Sequence, residues 1–519
     1  MSNLGWESKA RKYLLCVATC LAFSSVCVRS QAGEIEVPTI AQPRLSPSRG
    51  FFTNAFKLFL SCDTRDAIPW VSLDGSVPGP GLRGSFRYTS PIIVSNTSTV
   101  RARAYGAAGG MSRVATHSFI FPEKAIDQPW RPAGLPLRWN GVLADYRMDS
   151  RVLAKALPGY SLPEALLALP TLSIVLPREE LFGETNGIYT YSPHKGPEWE
   201  RAASMELIFA DGSPGAQIDT GLAMHGYTSR HHSNTLKHSL RLKFRSRYGD
   251  SRFRFPLFGD TERQAFDSLV LRACSGDSFT AGSSPPRWEA RRGSYLRDQW
   301  MRDTMRDLGE LTSHGRYVHL WLSGLYWGVY DMCEAMDTTF AADYLGGKKK
   351  DYDILKDYFV NDGGDRAAWD AAAAVAREAD PFQRLQGNNA DGTRNPATPI
   401  YLNASNYVHY MMVQITSGSQ DWPLNNWWSC RRRGIDSQGF TFCVWDQEEG
   451  NNSLTLTANV FCQPFAEPSE ASCIPSPGDY HAAFFYDRLR RSSPAFRQFF
   501  MDQVWAAHTG KGSMTPEAN

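Results

Sequence analysis

The chain has almost no net charge: 55 Lys and Arg against 53 Asp and Glu leave +2 at pH 7. No global field therefore draws it to nucleic acid or to an anionic membrane. Its short basic clusters, Lys348-Lys349-Lys350 and Arg431-Arg432-Arg433, read as solvated turns. Beyond Val28 there is no long apolar run, so nothing later in the chain reads as a bilayer span. Gly-x-Ser-x-Gly is also missing, which removes the nucleophile elbow of many hydrolases. His225, His231 and His232, near Asp219, have neither His-Glu-x-x-His spacing nor Cys partners, and so do not read as a zinc site.

What is present suffices for folded cores. Of 519 residues, 42% are hydrophobic and 12% aromatic, which predicts two or three domains. At the start, Lys9, Arg11 and Lys12 precede an apolar run from Tyr13 to Val28 and the small-x-small triplet Ser30-Gln31-Ala32. This pattern predicts a secretory signal peptide over 1–32 and an exported, soluble mature chain; an uncleaved anchor would need a longer run. Cys16, Cys20 and Cys27 leave with that segment, so an odd number of cysteines remains. Cys430 and Cys443 flank a turn near 435–438 and are expected to pair across it, as are Cys462 and Cys473 across a Pro-rich loop. Buried reduced thiols are the alternative for both pairs.

A polar linker, 33–45, leads into short alternating β runs separated by Gly, Pro and Asp turns, which predict a small all-β sandwich over 46–122. A Trp/Pro-rich connector, 123–169, follows. From 170 to 519 the order is several strands, a helix over about 294–308 with Leu296, Trp300, Met301 and Met305 at helical spacing, a hairpin through Ser323-Gly324-Leu325, and then a helix-rich half. Within this region Leu240, Leu242 and Phe244 alternate with Arg241 and Lys243, the pattern of a half-buried strand.

The helix-rich half carries the residues with a chemical pattern. An apolar helix runs into Asp421, Asn426 follows five positions on, and Asp446 ends the next apolar strand. Moving a phosphoryl group requires an acceptor for the substrate hydroxyl proton and oxygen ligands for divalent metal. A kinase catalytic loop supplies both with an Asp and an Asn at this spacing, and a strand-end Asp holds the other ion. Here Ser419-Gln420 replaces the usual His-Arg, and Gln447-Glu448 replaces the Phe-Gly. Turn capping by the same Asp and Asn side chains is the alternative reading. A β-rich part with one long helix, followed by a helical part with the loop, is also the order of a two-lobed kinase.

Several further runs carry a family likeness: Gly187-Ile188-Tyr189, Trp199-Glu200-Arg201, Lys237 to Phe244, Tyr295 to Trp300, Gly324 to Tyr330, Asp351 to Lys356, Asp421 to Asn426 and Trp445-Asp446. In this order they resemble the CotH family of atypical protein kinases over about 170–500. The 46–122 region, through Trp70 to Pro78, Tyr88 to Ile92 and Val100 to Ala104, resembles the immunoglobulin-like module at the C-terminus of chitobiases. The implied architecture is multidomain, a small all-β sandwich followed by an α+β protein-kinase-like two-lobed domain. The implied activity is transfer of the ATP γ-phosphoryl group to a Ser or Thr of a protein, with Mg²⁺ or Mn²⁺. Asp421 takes the catalytic position and Asn426 and Asp446 the metal positions. For the strand lysine that binds the nucleotide the candidates are Lys237, which matches the family's Lys-x-Ser run, and Lys243, with Arg230 in the preceding loop able to reach phosphate; surface charges on a half-exposed strand are the alternative reading. The helix carboxylate that orients the lysine stays open among Glu289, Asp298 and Glu310. Relatives of this type continue past such an end, so the domain is expected to be C-terminally incomplete. The reading from another class is a non-catalytic extracellular protein that binds polysaccharide or a partner, with Trp422, Trp427 and Trp428 forming a sugar-stacking groove.

Overall fold

The computed structural model describes residues 40–518 apart from 108, 155–158, 260–262, 280–292, 420, 421, 424 and 451–480. Residues 1–39, with the expected signal peptide, lie outside the described residues, as do Cys462 and Cys473. Among the described residues, no helix is long and apolar enough to cross a membrane.

The first region is built from β1 (Arg44–Ser46), β2 (Gly50–Phe51), β3 (Phe56–Ser61), β4 (Ile68–Ser72), β5 (Ser85–Arg87), β6 (Ile92–Val94), β7 (Ser98–Tyr105) and β8 (Ala115–Ile120). They form two sheets, ordered β1-β3-β6 and β2-β8-β7-β4-β5. Alternation along the strands sends Leu58, Leu60, Val71, Val100, Ala102 and Phe119 into one shared core. The connector contributes α1 (Pro122–Ile126), the pair β9 (Arg138–Trp139) and β10 (Val142–Leu143), α2 (Ser150–Ala154) and α3 (Leu162–Ala168). Trp139 is fully buried and packs on Tyr146, Phe182 and Tyr189, which draws the connector into the next core.

That core fills a closed barrel. In chain order come β11 (Thr171–Val175), α4 (Arg178–Phe182), β12 (Arg201–Ile208), β13 (Ala216–Met224), β14 (Leu240–Lys243), the side pair β15 (Phe253–Arg254) and β16 (Ala265–Phe266), β17 (Ser268–Arg272), α5 (Arg297–Asp307), β18 (Gly315–Leu322) and β19 (Leu325–Glu334). The barrel runs β11-β12-β13-β14-β17-β19-β18 and closes where β18 lies parallel to β11. Leu240 and Leu242 point inward, as the alternation predicts, with Leu269, Leu271, Tyr330 and Met332. The hairpin turn between β18 and β19 uses Ser323 and Gly324 in the left-handed region.

The remaining part comprises α6 (Thr338–Leu345), β20 (Tyr352–Lys356), β21 (Phe359–Val360), α7 (Ala367–Val375), α8 (Phe382–Leu385), α9 (Ala404–Ser417), β22 (Trp427–Arg432), β23 (Thr441–Val444), α10 (Phe484–Ser492) and α11 (Pro494–His508). Its sheet is ordered β21-β20-β22-β23, and α9 lies in a core with Trp369, Trp427, Phe440 and Phe442. Met301 and Met305 of α5 belong to this same core. The β-rich module and the barrel are in direct contact. Gly75, at φ +83°, sits so close to β11 that a Cβ there would lie 2.3 Å from the Leu176 carbonyl oxygen, a position only glycine fills. Beside it, the buried Glu206 of β12 pairs with Arg49 at 3.2 Å and accepts from the Ser118 hydroxyl of β8 at 2.5 Å.

The expected disulfide between Cys430 and Cys443 does not form; both are free and buried. The hairpin register is the reason. Cys443 lies opposite Trp428 and Cys430 opposite Thr441, so the two sulfurs occupy offset rungs. The Cys443 thiol donates instead to the Leu311 carbonyl at 3.2 Å.

Candidate functional site

Period-two alternation decides which side chains leave the barrel toward α5. On β17, Leu269 and Leu271 face in while Val270 and Arg272 face out; on β19, Tyr330 and Met332 face in while Asp331 and Cys333 face out. On α5, Asp298 and Arg302 lie one turn apart on one face. Arg302 pairs with Asp298 at 3.0 Å and with Asp331, fastening the helix to the strand.

Arg272 is the hub of this array. Its Nε lies 3.3 Å from Asp298, and its Nη2 lies 2.5 Å from Asp446 and 2.7 Å from Glu448. One guanidinium thus joins a barrel strand, the long helix and the segment that leaves β23. Burial opposes its charge, but Asp298, Asp446 and Glu448 hold its pKa well above the ordinary value. Burial pushes the Glu448 carboxyl up to about 8, against the pull of Arg272 and with a further push from Asp446. Glu448 also accepts the Gly276 amide at 2.7 Å. The Asp446 side chain keeps 45% of its exposure, so one carboxylate of the cluster meets solvent.

Three chain turns deliver acidic or amide side chains here. Asp357 after β20, Asn426 before β22 and Asp446 after β23 are non-glycine residues at φ of 50°, 60° and 58°, a conformation that the surrounding contacts must hold in place. Those contacts are present. The Asp357 carboxylate accepts the Trp427 amide at 3.1 Å and also the Asn426 amide. The Gln447 side chain donates to the Asn426 and Trp445 carbonyls at 2.9 and 2.6 Å, and its backbone amide donates to Asp298 at 2.8 Å. Burial raises the Asp357 pKa, Lys356 pulls it down, and Asp446 raises it further.

Lys356 and His225 border the Trp445 ring. The Lys356 ammonium stands 4.7 Å above the Trp445 ring and 3.9 Å from Asp357. Across from it, the His225 ring lies 6.2 Å from that of Trp445. Burial, with Arg241, Lys356, Arg272 and Arg230 adding to it, holds His225 neutral.

The sequence-predicted residues divide between this cluster and other places. Asn426 and Asp446 are brought together at the Gln447 turn. Asp421 lies outside the described residues, as does Glu289. The flanking Trp422 donates its indole N–H to the Tyr410 hydroxyl of α9 at 2.8 Å, and α9 ends at Gly418 in the left-handed region. The helix carboxylate facing the strand cation is Asp298, whereas Glu310 holds His409 and Asn406. That strand cation is neither of the two expected lysines. Lys243 pairs with Glu200 at 2.7 Å and lies opposite Ser268, four residues along β17 from Arg272, or about 13 Å at strand rise. Lys237 is buried against the Tyr295 and Tyr330 rings and the Val329 carbonyl. The Arg230 guanidinium is occupied by the carbonyls of Ser192, Pro193 and His194. It clamps a loop.

His232 also serves the scaffold, since it and His238 bond to each other at 2.8 Å. Trp422, Trp427 and Trp428 are all buried, which removes the sugar-stacking groove expected of them. Sequence reasoning passed over Arg272, Glu448, Asp357 and Lys356. Only Lys356 offered a signal, as the last residue of the Asp351 to Lys356 run.

The donor set suits a small hard cation. Asp446 pushes up both Asp357 and Glu448, an anionic excess that a divalent ion would relieve. Among the described residues no three His, Cys, Asp or Glu side chains converge in a ligating cluster. Mg²⁺ does not need one: it takes one or two protein carboxylates and fills its shell with water and phosphate oxygens.

Two family models match the chain. The one described as "CotH kinase protein" matches residues 222–504, more than half of the chain, and the one described as "Fn3 associated" matches 70–119. The latter falls on β4 to β8, within the region expected to resemble a chitobiase module. No curated protein matches the chain.

Proposed function

The chain belongs to the CotH kinase protein family, and from that premise we propose that it is an exported protein kinase that transfers the ATP γ-phosphoryl group to a protein Ser or Thr. The observation that carries this reading is Arg272, which ties the Asp298 carboxylate of α5 to the strand-end Asp446 beside Asn426. A kinase needs a strand cation paired with a helix acid, and a metal-binding Asp in place, before phosphoryl transfer. The barrel and the helical part then correspond to the two lobes, with α5 as the helix between them.

Asp446 and Asn426 would hold Mg²⁺, which when bound neutralises the charge of the phosphates. Asp421 accepts the proton of the acceptor hydroxyl as that oxygen bonds to the γ-phosphorus and the bond to the ADP oxygen breaks. Arg272 fixes the orientation of Asp446. Lys356, at the edge of the same cluster, meets the phosphate charge. Lys243 and Arg230 fall outside this role, since Glu200 and three carbonyls occupy them.

The test compares three variants by calorimetry with ATP, with and without Mg²⁺, alongside phosphate incorporation into a protein substrate. Asp421→Ala retains metal-dependent nucleotide binding and loses transfer. Asp446→Ala loses both, because an anionic ligand is gone. Asn426→Ala is a milder form of the second, since an amide carries no charge. A wild-type protein that binds no nucleotide with Mg²⁺ or Mn²⁺ would falsify the assignment.

A further inference from the structure

A second site lies on the outer face of the barrel. A cavity of about 820 Å³ opens between β18 and β19, the start of α5 and the connector, with Tyr295, Tyr317, Tyr326, Trp327, Leu162 and Leu166 among its walls. Its volume falls in the range of small-molecule sites, roughly 300–1,000 Å³, and its largely aromatic lining matches their usual composition.

Most of the buried polar groups in these walls have partners within the protein, and Lys237 is the buried one with donors to spare. Tyr317 donates to the Tyr295 carbonyl. His319 donates through Nε2 to the Ala165 carbonyl at 2.8 Å, which leaves Nδ1 to accept the Tyr326 hydroxyl at 3.1 Å. Tyr189 donates to the Leu236 carbonyl at 2.8 Å. Lys237 differs from these. Its ammonium is buried, donates to the Val329 carbonyl, lies 4.8 and 4.5 Å from the Tyr295 and Tyr330 ring centres, and pairs with no carboxylate among the described residues. An ammonium with three N–H donors, one of them used, can bond two more acceptors. At the mouth, Asp145 and Arg147 are exposed and therefore screened by solvent.

We propose that this cavity binds a small monocarboxylate with an aromatic body, its carboxylate on Lys237 and its ring among Tyr317, Tyr326 and Trp327. A single buried ammonium matches one negative charge; among the described residues the other cation of the lining, Arg147, is exposed, so the buried end offers a phosphate dianion no second charged donor. Flat ring walls favour an aromatic body over a saturated one, through edge and face contacts. Burial lowers the Lys237 pKa to about 8, with Cys274 and Glu448 pulling the other way. A carboxylate placed beside the ammonium reverses that loss of charge stabilisation. Lys237 lies within electrostatic reach of Glu448, so the cavity adjoins the Asp446 cluster, but carboxylate binding there does not rest on phosphate transfer.

The experiment uses the mature chain without nucleotide, titrated in a calorimeter with naphthylacetate and with its neutral amide. The acid is expected to bind saturably and the amide roughly tenfold or more weakly, the loss that follows from removing a charged hydrogen bond. Lys237→Met should bring the acid down to the affinity of the amide and leave the amide unchanged. Ala165→Trp, at an exposed helix position in the cavity wall, should block both ligands even where Lys237→Met fails to fold. Equal affinity for acid and amide, unchanged acid binding in either variant, or no saturable binding of the acid overturns the proposal.

Discussion

Replacing Glu206 with Gln should make the protein gain stability over wild type as pH rises. Glu206 leaves the barrel toward the β-rich module, is fully buried, and has Arg49 and Ser118 as partners. Burial pushes its carboxyl up from 4.5 to about 7, although Arg49 and Ser118 pull it down. Below 4.5 the folded and unfolded chains both carry the proton. Between 4.5 and about 7 the unfolded chain releases it and the folded chain keeps it, so stability falls through this window and is lower by a constant amount above it. At about 1.4 kcal/mol per pH unit, the gap amounts to about 3 kcal/mol, an upper figure for a group this deeply buried. The Gln side chain has nearly the same size and no proton to release. Urea unfolding followed by Trp fluorescence, from pH 4.5 to 8, gives the two stability curves; every other titrating group is common to both and cancels in the difference. The expected result is a difference that grows by about 3 kcal/mol with rising pH. Curves that stay parallel would mean that Glu206 ionises at its ordinary pKa and that the module does not shield it.

Arg272→Met should lower stability by roughly 3–5 kcal/mol in the same assay, because the buried Glu448 loses its cation and the buried Asp298 keeps only Arg302; adding Asp298→Asn should restore part of that loss. Glu200, which is buried and which Lys243, Tyr248 and Arg247 hold down to about 2, stabilises above 4.5 and loses that effect as pH falls toward 2. Glu200→Gln should therefore lower the melting temperature at pH 7 and converge with wild type under acid conditions. Cys430 and Cys443, buried thiols with raised pKa values, should resist maleimide in the native protein and react fully in urea; a disulfide-linked peptide found without reductant would contradict the register of β22 and β23.

The elements with a strong local period were legible in the sequence. Leu240 and Leu242 announced the inward face of β14, and Met301 and Met305 the buried face of α5. The start of α5 was placed too early: Leu296 stands outside the helix and is 57% exposed. Closure of the barrel was not legible, because β11 and β18 pair in parallel across more than 140 residues and no local pattern marks such a contact. The site divides in the same way. Asp446 and Asn426 stood out because strand ends and turns are local features. Arg272 carried no signal of its own at the end of a strand, and only the arrival of α5 and the Gln447 turn makes it a buried hub. Lys237 and Lys243 were selected as strand lysines in a kinase-like position, Lys237 for its match to the family's Lys-x-Ser run, but their partners come from 92 and 43 residues away. Spacing does not report such partners.

The membership of α5 in two cores has a mechanical consequence. Met301 and Met305 are fixed among the side chains of α9 and its neighbours, while Asp298 and Arg302 are fixed to β17 and β19. The helix is thus an axle with one side geared to each body. Turning this axle by a fraction of a revolution would draw Asp298 off Arg272 and Arg302 off Asp331 in the same movement. Asp446 would then lose the partner that aims it. A movement of the barrel against the helical part would therefore be felt at the carboxylate through this one helix.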